Sequence, residues 1–173
     1  MKRARAFTLV ELIITLAIGA ILLGVGAPMM GTMLESNRAS VRAVELRKAL
    51  VATQDAATNR GNRVVLCPIN GSNDGCDPNS PRDWTKGWLM FVDDGPIQGS
   101  HDPGEEILHV FQSTEGPHTL STDVDFVRYN PRGELDSGIP TDFSIKYSQC
   151  TKRQARRVNV SAIGRISIES IAC

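Results

Sequence analysis

The sequence has no excess charge of either sign, because 19 lysines and arginines balance 19 aspartates and glutamates over 173 residues. A chain without a global basic excess is not built as a general nucleic-acid-binding protein. It also has no internal repeat and no low-complexity tract. These absences leave a chain of ordinary length, with room for a single domain after an N-terminal segment.

Patterns that carry catalysis are missing as well. No serine or cysteine lies in a nucleophile elbow, and no glycine-rich phosphate-binding motif occurs. The three histidines, His101, His109 and His118, have no acid or nucleophile patterned around them. The sequence therefore predicts neither enzyme activity nor a cofactor, and we expect the function to lie in assembly or binding.

Charge is also absent from the stretch Leu12 to Met30, in which Thr15 is the one polar side chain. At about 1.5 Å per residue, a helix over this stretch would span about 29 Å, roughly the hydrocarbon thickness of a bilayer. Lys2, Arg3 and Arg5 precede it. Positive charge before a first span keeps the N-terminus in the cytoplasm and sends the remainder outward. We therefore expect a single membrane span.

Glu11 stands at the start of this apolar stretch, where a carboxylate in lipid needs a partner. An amino group created by cleavage before Phe7 would be that partner. The run Ala6-Phe7-Thr8-Leu9-Val10-Glu11 resembles the class III signal sequence of type IV pilins and pseudopilins. The resemblance implies that a prepilin peptidase cuts between Ala6 and Phe7, that the new N-terminus is methylated, and that Glu11, the fifth mature residue, serves assembly. Ala6 departs from the usual Gly.

Two other interpretations of this stretch stay open. One is a plain signal anchor, in which Glu11 lies at the membrane interface and has no role in assembly. The other is a secretory signal peptide cut after Ala27, which has the small-x-small form. Pro28 would then follow the cut, and an acid would begin a core that should be purely apolar, so this second interpretation is disfavoured.

Four cysteines lie in the part that is predicted to be exported. An even number in an oxidising compartment indicates two disulfides, although four cysteines allow three pairings. The local pairing joins Cys67 to Cys76 and Cys150 to Cys173, and each bond would stabilise the domain by about 3 kcal/mol. A zinc site is the rival interpretation, but the cysteines and histidines lack the close spacing of zinc ligands. We predict no metal site.

An apolar helix face continues past the membrane segment. Steps of four, three, four and seven residues separate its members, which are Ala39, Ala43, Leu46, Leu50 and Ala57. We expect one helix from about Phe7 to Ala57, with a kink or a melted stretch near Pro28. Gly61 can take the left-handed conformation that ends a helix.

Short runs rich in valine, isoleucine, phenylalanine and tyrosine follow the helix. The connections lack crossover helices, so mostly antiparallel pairing is expected. The predicted fold class is α+β, with strands at Arg63–Cys67, Trp88–Val92, Ile107–Phe111, Val124–Tyr129, Phe143–Tyr147, Val158–Ser161 and Arg165–Ile171. The acidic loop 93–106 was weighed as a calcium site, but it fits no EF-hand spacing, and a solvated connection is favoured.

Several blocks of the head resemble the GspH/FimT group of minor pilins. They are 84–93, 104–108, Asn130-Pro131-Arg132-Gly133 and 158–166. The resemblance implies a type IV pilin fold with a long helix and a β-sandwich-like head. It divides the chain into a leader (1–6), a hydrophobic transmembrane and assembly helix (7–30), an amphipathic continuation (31–58) and a periplasmic head (59–173). Large aromatics usually fill cores, so we expect Trp84, Trp88 and Phe91 to be packing residues.

One basic cluster departs from the neutral average. Between Phe143 and Ile168 there are six basic residues and no acid, and most of them are predicted to lie on a loop between two strands. Clustered cations can neutralise phosphates, and some members of the FimT group are thought to bind DNA through such a region. The candidate residues are Lys152, Arg153, Arg156, Arg157 and Arg165. The alternative is a solvated loop, or one that docks onto an acidic neighbouring subunit.

The resemblance thus implies a minor pilin that takes part in type IV pilus assembly. Two alternatives are a pseudopilin of a type II secretion system and a DNA-binding minor pilin for DNA uptake. The expected partners are other minor and major pilins or pseudopilins, the prepilin peptidase, the inner-membrane assembly platform and, in the third case, double-stranded DNA. The expected location is the inner membrane with a periplasmic head, and the pilus or pseudopilus after assembly.

Overall fold

One long helix and eight strands make up the regular structure of the described chain. The computed structural model describes residues 8–112, 118–148, 150 and 154–173, without the side chains of 23–33 and 35. The α+β class is confirmed. In chain order the elements are α1 (Leu9–Arg60), β1 (Val64–Pro68), β2 (Gly87–Val92), β3 (Ile107–Gln112), β4 (His118–Ser121), β5 (Val127–Tyr129), β6 (Thr141–Tyr147), β7 (Ala155–Val160) and β8 (Ile166–Ile171).

Hydrogen bonds cap helix α1 at both ends. The Glu11 N–H donates to the Thr8 hydroxyl at 3.3 Å, and the Glu11 carboxylate accepts the Thr8 N–H at 3.4 Å. This reciprocal capping box satisfies two polar groups that a first turn leaves without helical partners. At the other end Gly61 has a φ of 67° and donates its N–H to the Ala57 carbonyl. The predicted helix end at Gly61 is confirmed.

The helix passes through the proline-containing segment without interruption. In residues 8–112 helical backbone continues over all 52 residues from Leu9 to Arg60, Pro28 included. A melted stretch at Pro28 is therefore ruled out, and a kink there stays a prediction. No helix in the described part of the chain is long and apolar enough to cross a membrane. The predicted span over 7–30 includes side chains outside that part and stays a prediction.

The strands form two antiparallel four-stranded sheets. The first sheet has the order β3-β2-β1-β5 and the second the order β4-β6-β7-β8. All of their pairings are antiparallel, as expected for a chain without crossover helices between its strands. The two sheets and the C-terminal half of α1 together make the head.

Three strand predictions need correction. β4 was missed, because its four residues, His118 to Ser121, show no apolar alternation, and pairing with β6 makes them a strand. β5 covers only the end of the predicted run Val124–Tyr129, and Trp84 donates its ring N–H to the Val124 carbonyl instead. β7 begins at Ala155, three residues before the predicted start. In each case a contact with a distant residue decides the backbone state.

The small and apolar stripe of α1 packs against both sheets. Its predicted members are all buried in the structure, with at most 1 % of any of them exposed. Opposite the stripe lie Trp84, Tyr129 and Phe143, and the rings of Trp84 and Phe143 meet edge to face at 4.8 Å between centroids. Burial of this aromatic layer against the helix stabilises the head.

A second, smaller core lies on the opposite face of the first sheet. Alternate residues of a strand face opposite sides, so a strand covered on both sides is buried throughout, as β1 and β2 are. Cys76 and Phe126 pack onto this core from the segments that follow β1 and β4 in the chain. The core residues are Val65, Cys67, Ile69, Leu89 and Phe91.

Candidate assembly surface

The first turns of α1 expose apolar side chains on every side. Successive positions of a helix are about 100° apart, so a run of consecutive apolar residues surrounds the axis. A helix that is apolar all round is normally covered by a membrane or by other protein. Nine large side chains are between 53 and 75 % exposed here: Leu9, Val10, Leu12, Ile13, Ile14, Leu16, Ile18, Ile21 and Leu22.

Glu11 is the one acid in this segment, and its carboxylate closes the capping box with Thr8. Sequence reasoning missed this role, although Thr8-Leu9-Val10-Glu11 has the Thr-x-x-Glu pattern of a capping box. The predicted cleavage site, Ala6 and Phe7, lies outside the described residues. The pairing of Glu11 with a new amino group at Phe7 therefore stays a prediction.

Arg156 ties the head to the middle of α1. Its guanidinium donates to the hydroxyls of Ser36 and Ser40, both at 3.1 Å. The expectation that Arg156 lies on a loop is wrong, because it belongs to β7. Strand alternation puts it on the same face as Val158, which is buried in the core. One of the proposed DNA-binding side chains is thus engaged inside the fold.

A close contact between two turns fixes the far end of the head onto α1. The Gln54 side-chain amide donates to the Gly133 carbonyl at 2.7 Å, and Gly164 packs against the same carbonyl. The Leu135 N–H donates to the Ala162 carbonyl at 2.9 Å beside them. Two of the blocks that carry the family resemblance therefore interlock, and together with Arg156 they hold the helix to the head at two separated points.

Of the other predicted DNA-binding residues, the structure describes two, Arg157 and Arg165. Arg157 lies in β7, not on a loop, and forms ion pairs with Asp142 and Glu169, each at 3.3 Å. Arg165 is exposed after the turn between β7 and β8. The remaining two candidates lie outside the described residues: Lys152 and Arg153.

Both disulfides of the local pairing are present. Cys67 and Cys76 have their Cα atoms 5.6 Å apart, and those of Cys150 and Cys173 are 5.8 Å apart. The Lys146 ammonium also donates to the backbone oxygen of Cys173 at 3.0 Å. The C-terminus is therefore held close to the chain that leads into β7.

In the acidic loop between β2 and β3, the loop's own backbone binds the carboxylate of Glu105. Glu105 accepts N–H groups of the loop, among them that of Asp102 at 2.7 Å. Asp93, which was expected to be solvated, is buried and accepts the Arg128 guanidinium at 3.0 Å; Arg128 also donates to Asp136. In the described ranges no group of histidine, cysteine or acidic side chains is arranged to hold a metal ion.

A groove of about 480 Å³ lies between the segments 123–128 and 135–141. Val124 and Leu135 contribute apolar surface to it, and Ile139 is 70 % exposed at its edge. Asp125, which also lines it, pairs with Arg82 at 2.7 Å. The groove is thus an apolar depression with its charges largely compensated, unlike the uniformly apolar helix.

Comparison with known protein families identifies the class of this fold. A family model described as type II transport protein GspH matches residues 42–164, which covers α1 from residue 42 onward and the head up to the turn before β8. The chain belongs to the GspH family. A second model, described as the prokaryotic N-terminal methylation motif, matches residues 1–27. The GspH match spans the interlocked turns and the aromatic core, while the methylation match spans the exposed apolar helix.

A solved minor pilin structure shares the fold of this chain. The type IV minor pilin FimU of Pseudomonas aeruginosa superposes with a TM-score of 0.60 at 18% sequence identity, over 79% of this chain and 92% of FimU. The minor pseudopilin EpsH of the Vibrio cholerae type 2 secretion system gives a TM-score of 0.47 at 13% identity, over 78% and 96% of the two chains. No curated protein sequence matches significantly. This GspH-family chain therefore has a pilin-like fold.

Proposed function

We propose that this chain is a minor pilin that enters a type IV pilus through its N-terminal helix. The observation that carries the proposal is the ring of exposed apolar side chains from Leu9 to Leu22, which the head leaves uncovered. Such a surface needs lipid before assembly and neighbouring helices after it. The fold likeness to a minor pilin, FimU, supports the same function.

The proposed sequence of events gives Glu11 two partners in turn. Before cleavage its carboxylate caps the helix through Thr8. Cleavage between Ala6 and Phe7 by a prepilin peptidase creates an ammonium group near that carboxylate, and the opposite charges attract strongly in a medium of low dielectric constant. In the fibre, the ammonium group of the chain itself or of a neighbour pairs with Glu11 and sets the axial register.

Replacement of Glu11 in the full chain tests this proposal. Glu11→Ala should leave the protein in the inner membrane and exclude it from sheared fibres, because the apolar helix stays intact while the charge pair is lost. Thr8→Ala is the matched control, since it removes the cap and keeps the carboxylate. Thr15→Ala controls for loss of a polar group one turn further on. Normal incorporation of Glu11→Ala would contradict the proposed role.

The same strains separate the pilus from the secretion alternative. Deletion of the gene should remove surface pili and leave type II secretion intact if the chain is a minor pilin. Loss of secretion with normal piliation would instead make it a pseudopilin of the secretion system. DNA uptake has less support, because Arg156 and Arg157 are engaged within the head.

A further inference from the structure

In the described part of the chain, β8 is an edge strand of the second sheet, and no strand pairs with its outer side. β8 pairs with β7 over six residues without a register shift. It contains no proline and no lysine, and its one charged side chain, Glu169, is paired with Arg157. Straight edge strands that lack proline, inward charges and bulges are templates for pairing with another strand.

The other sheet edges of the described chain are blunted. β3 has a register shift against β2 between Met90 and Phe91, and such bulges twist an edge away from a partner. β5 has three residues, and Leu135 forms a bridge to Tyr129 on it. β4 has four residues. Among these edges, β8 combines length with an unbroken register.

The turn between β7 and β8 determines which backbone groups of β8 point outward. The Ser161 N–H donates to the Arg165 carbonyl at 2.9 Å, so this opposed pair is hydrogen-bonded. Bonded and non-bonded pairs alternate along an antiparallel ladder. The backbone amides and carbonyls of Ile166 and Ile168 therefore point away from β7. No strand of the described chain pairs with that side of β8.

We infer that β8 accepts an extended segment of a neighbouring pilin-like subunit as an added strand. This inference rests on the proposed function, because it takes the neighbour from the assembled fibre. Strand addition satisfies the outward amides and carbonyls of Ile166 and Ile168, which supply the affinity in such complexes. It deepens the assembly model by adding a contact of the head to the contact of the apolar helix.

The side chains of β8 define the chemistry of the incoming segment. Ile166 and Ile168 are partly buried against the main core, whereas Ser167 and Glu169 are exposed on the outer face of the sheet. A strand beside them must match this alternation, because side chains opposite one another share a face. The partner segment therefore carries apolar residues at every second position and polar residues between them.

Both ends of β8 are held before any partner arrives. Gly164 locks the preceding turn against the Gly133 carbonyl, and the disulfide from Cys173 to Cys150 holds the following residues. A strand that is already fixed loses little conformational entropy on binding. β8 is therefore already ordered before a partner strand binds to its edge.

Proline at position 168 tests the inference in the full chain. Ile168→Pro removes an outward amide and leaves the bonds to β7 in place, a substitution that edge strands tolerate. Ile168→Ala is the matched control, since it shortens the side chain and keeps the amide. The amount of chain in sheared fibres, divided by the amount in the membrane, should fall at least about tenfold for the proline variant relative to the alanine variant.

Equal incorporation of the proline and alanine variants would overturn strand addition. If the proline variant does not accumulate in the membrane, a second pair of variants tests strand addition. Ser167 and Asn159 are opposed in register on the outer face, so Ser167→Lys puts a charge on the edge and Asn159→Lys puts it one strand inside. Only the edge lysine should reduce incorporation, and equal incorporation of these two variants also overturns the inference.

Glu11→Ala, measured in the same fibres, separates this inference from the proposed function. Exclusion of Glu11→Ala together with normal incorporation of Ile168→Pro refutes strand addition alone. Absence of the unmutated chain from sheared fibres refutes the proposed function, and the inference that rests on it falls with it.

Discussion

The carbonyl oxygen of Gly133 occupies the place where a side chain at Gly164 would begin. A Cβ atom built on Gly164 would lie well within 3.0 Å of that oxygen, and the Gln54 amide approaches from the other side. Gly164 also has a φ of 82°, in the left-handed region. Both the turn conformation and the close packing of β7–β8 onto the end of α1 therefore require glycine at this position.

Gly164→Ala should destabilise the protein more than the same change at Gly138. Gly138 has a φ of 67° and open space around it, so alanine there costs only the left-handed strain of about 1–2 kcal/mol. At Gly164 a steric overlap of about 1–3 kcal/mol adds to that strain. Thermal unfolding of the detergent-solubilised chain measures both variants, and similar melting temperatures would contradict the packing assigned to Gly164.

Arg156→Ala should destabilise the contact between α1 and the head far more than Arg157→Ala does. Hydrogen bonds of a charged group are worth about 1.5–3 kcal/mol, and Arg156 bonds two helix hydroxyls. Arg157 belongs to a surface ion-pair network, where such pairs contribute about 0–1 kcal/mol. Thermal unfolding compares the two variants, and limited proteolysis of α1 reports on its contact with the head. An equal effect of both would show that Arg156 does not tie the helix.

Stability should fall in acid partly through Asp77. The N–H groups of Asn79 and Ser80 donate to Asp77, and with the Lys86 ammonium they lower the pKa of its carboxyl below the ordinary value. A depressed folded-state pKa means that this stabilisation is complete above the ordinary value of about 4 and disappears as the pH falls through the folded-state pKa. Wild type should therefore exceed Asp77→Asn in melting temperature near neutral pH and converge with it in acid.

Lys86→Met sharpens the acid prediction. It removes one cause of the lowered pKa of Asp77 and leaves the two amides in place. In the Lys86→Met background, Asp77→Asn should therefore still lower the melting temperature near neutral pH, but by less than it does in the wild type. A constant difference from about pH 7 down to about pH 2 would mean that the Asp77 charge does not stabilise the fold.

Local patterns in the sequence were enough to predict much of this protein. The apolar steps on α1, the left-handed stop at Gly61 and the runs that became β1, β2, β3, β6 and β8 all depend on short-range periodicity. Such features could be predicted because every residue involved has its determining neighbours within one or two turns or strands. The two disulfides are those of the local pairing, one of the three that the sequence left open.

Other features depended on contacts between distant residues, and the tertiary structure alone decided them. β4 exists because β6 offers it a register, and Asp93 is buried because Arg128, 35 positions away, neutralises it. The charge cluster around Arg156 predicts a loop, but Arg156 lies in β7. Its side chain faces α1 and donates to the hydroxyls of Ser40 and Ser36, which are 116 and 120 positions away in the chain. The sequence by itself determined the helix that must be covered and the strands that must pair. Only the packing of one element on another decided which charges are used inside the head and which strand edge is left open.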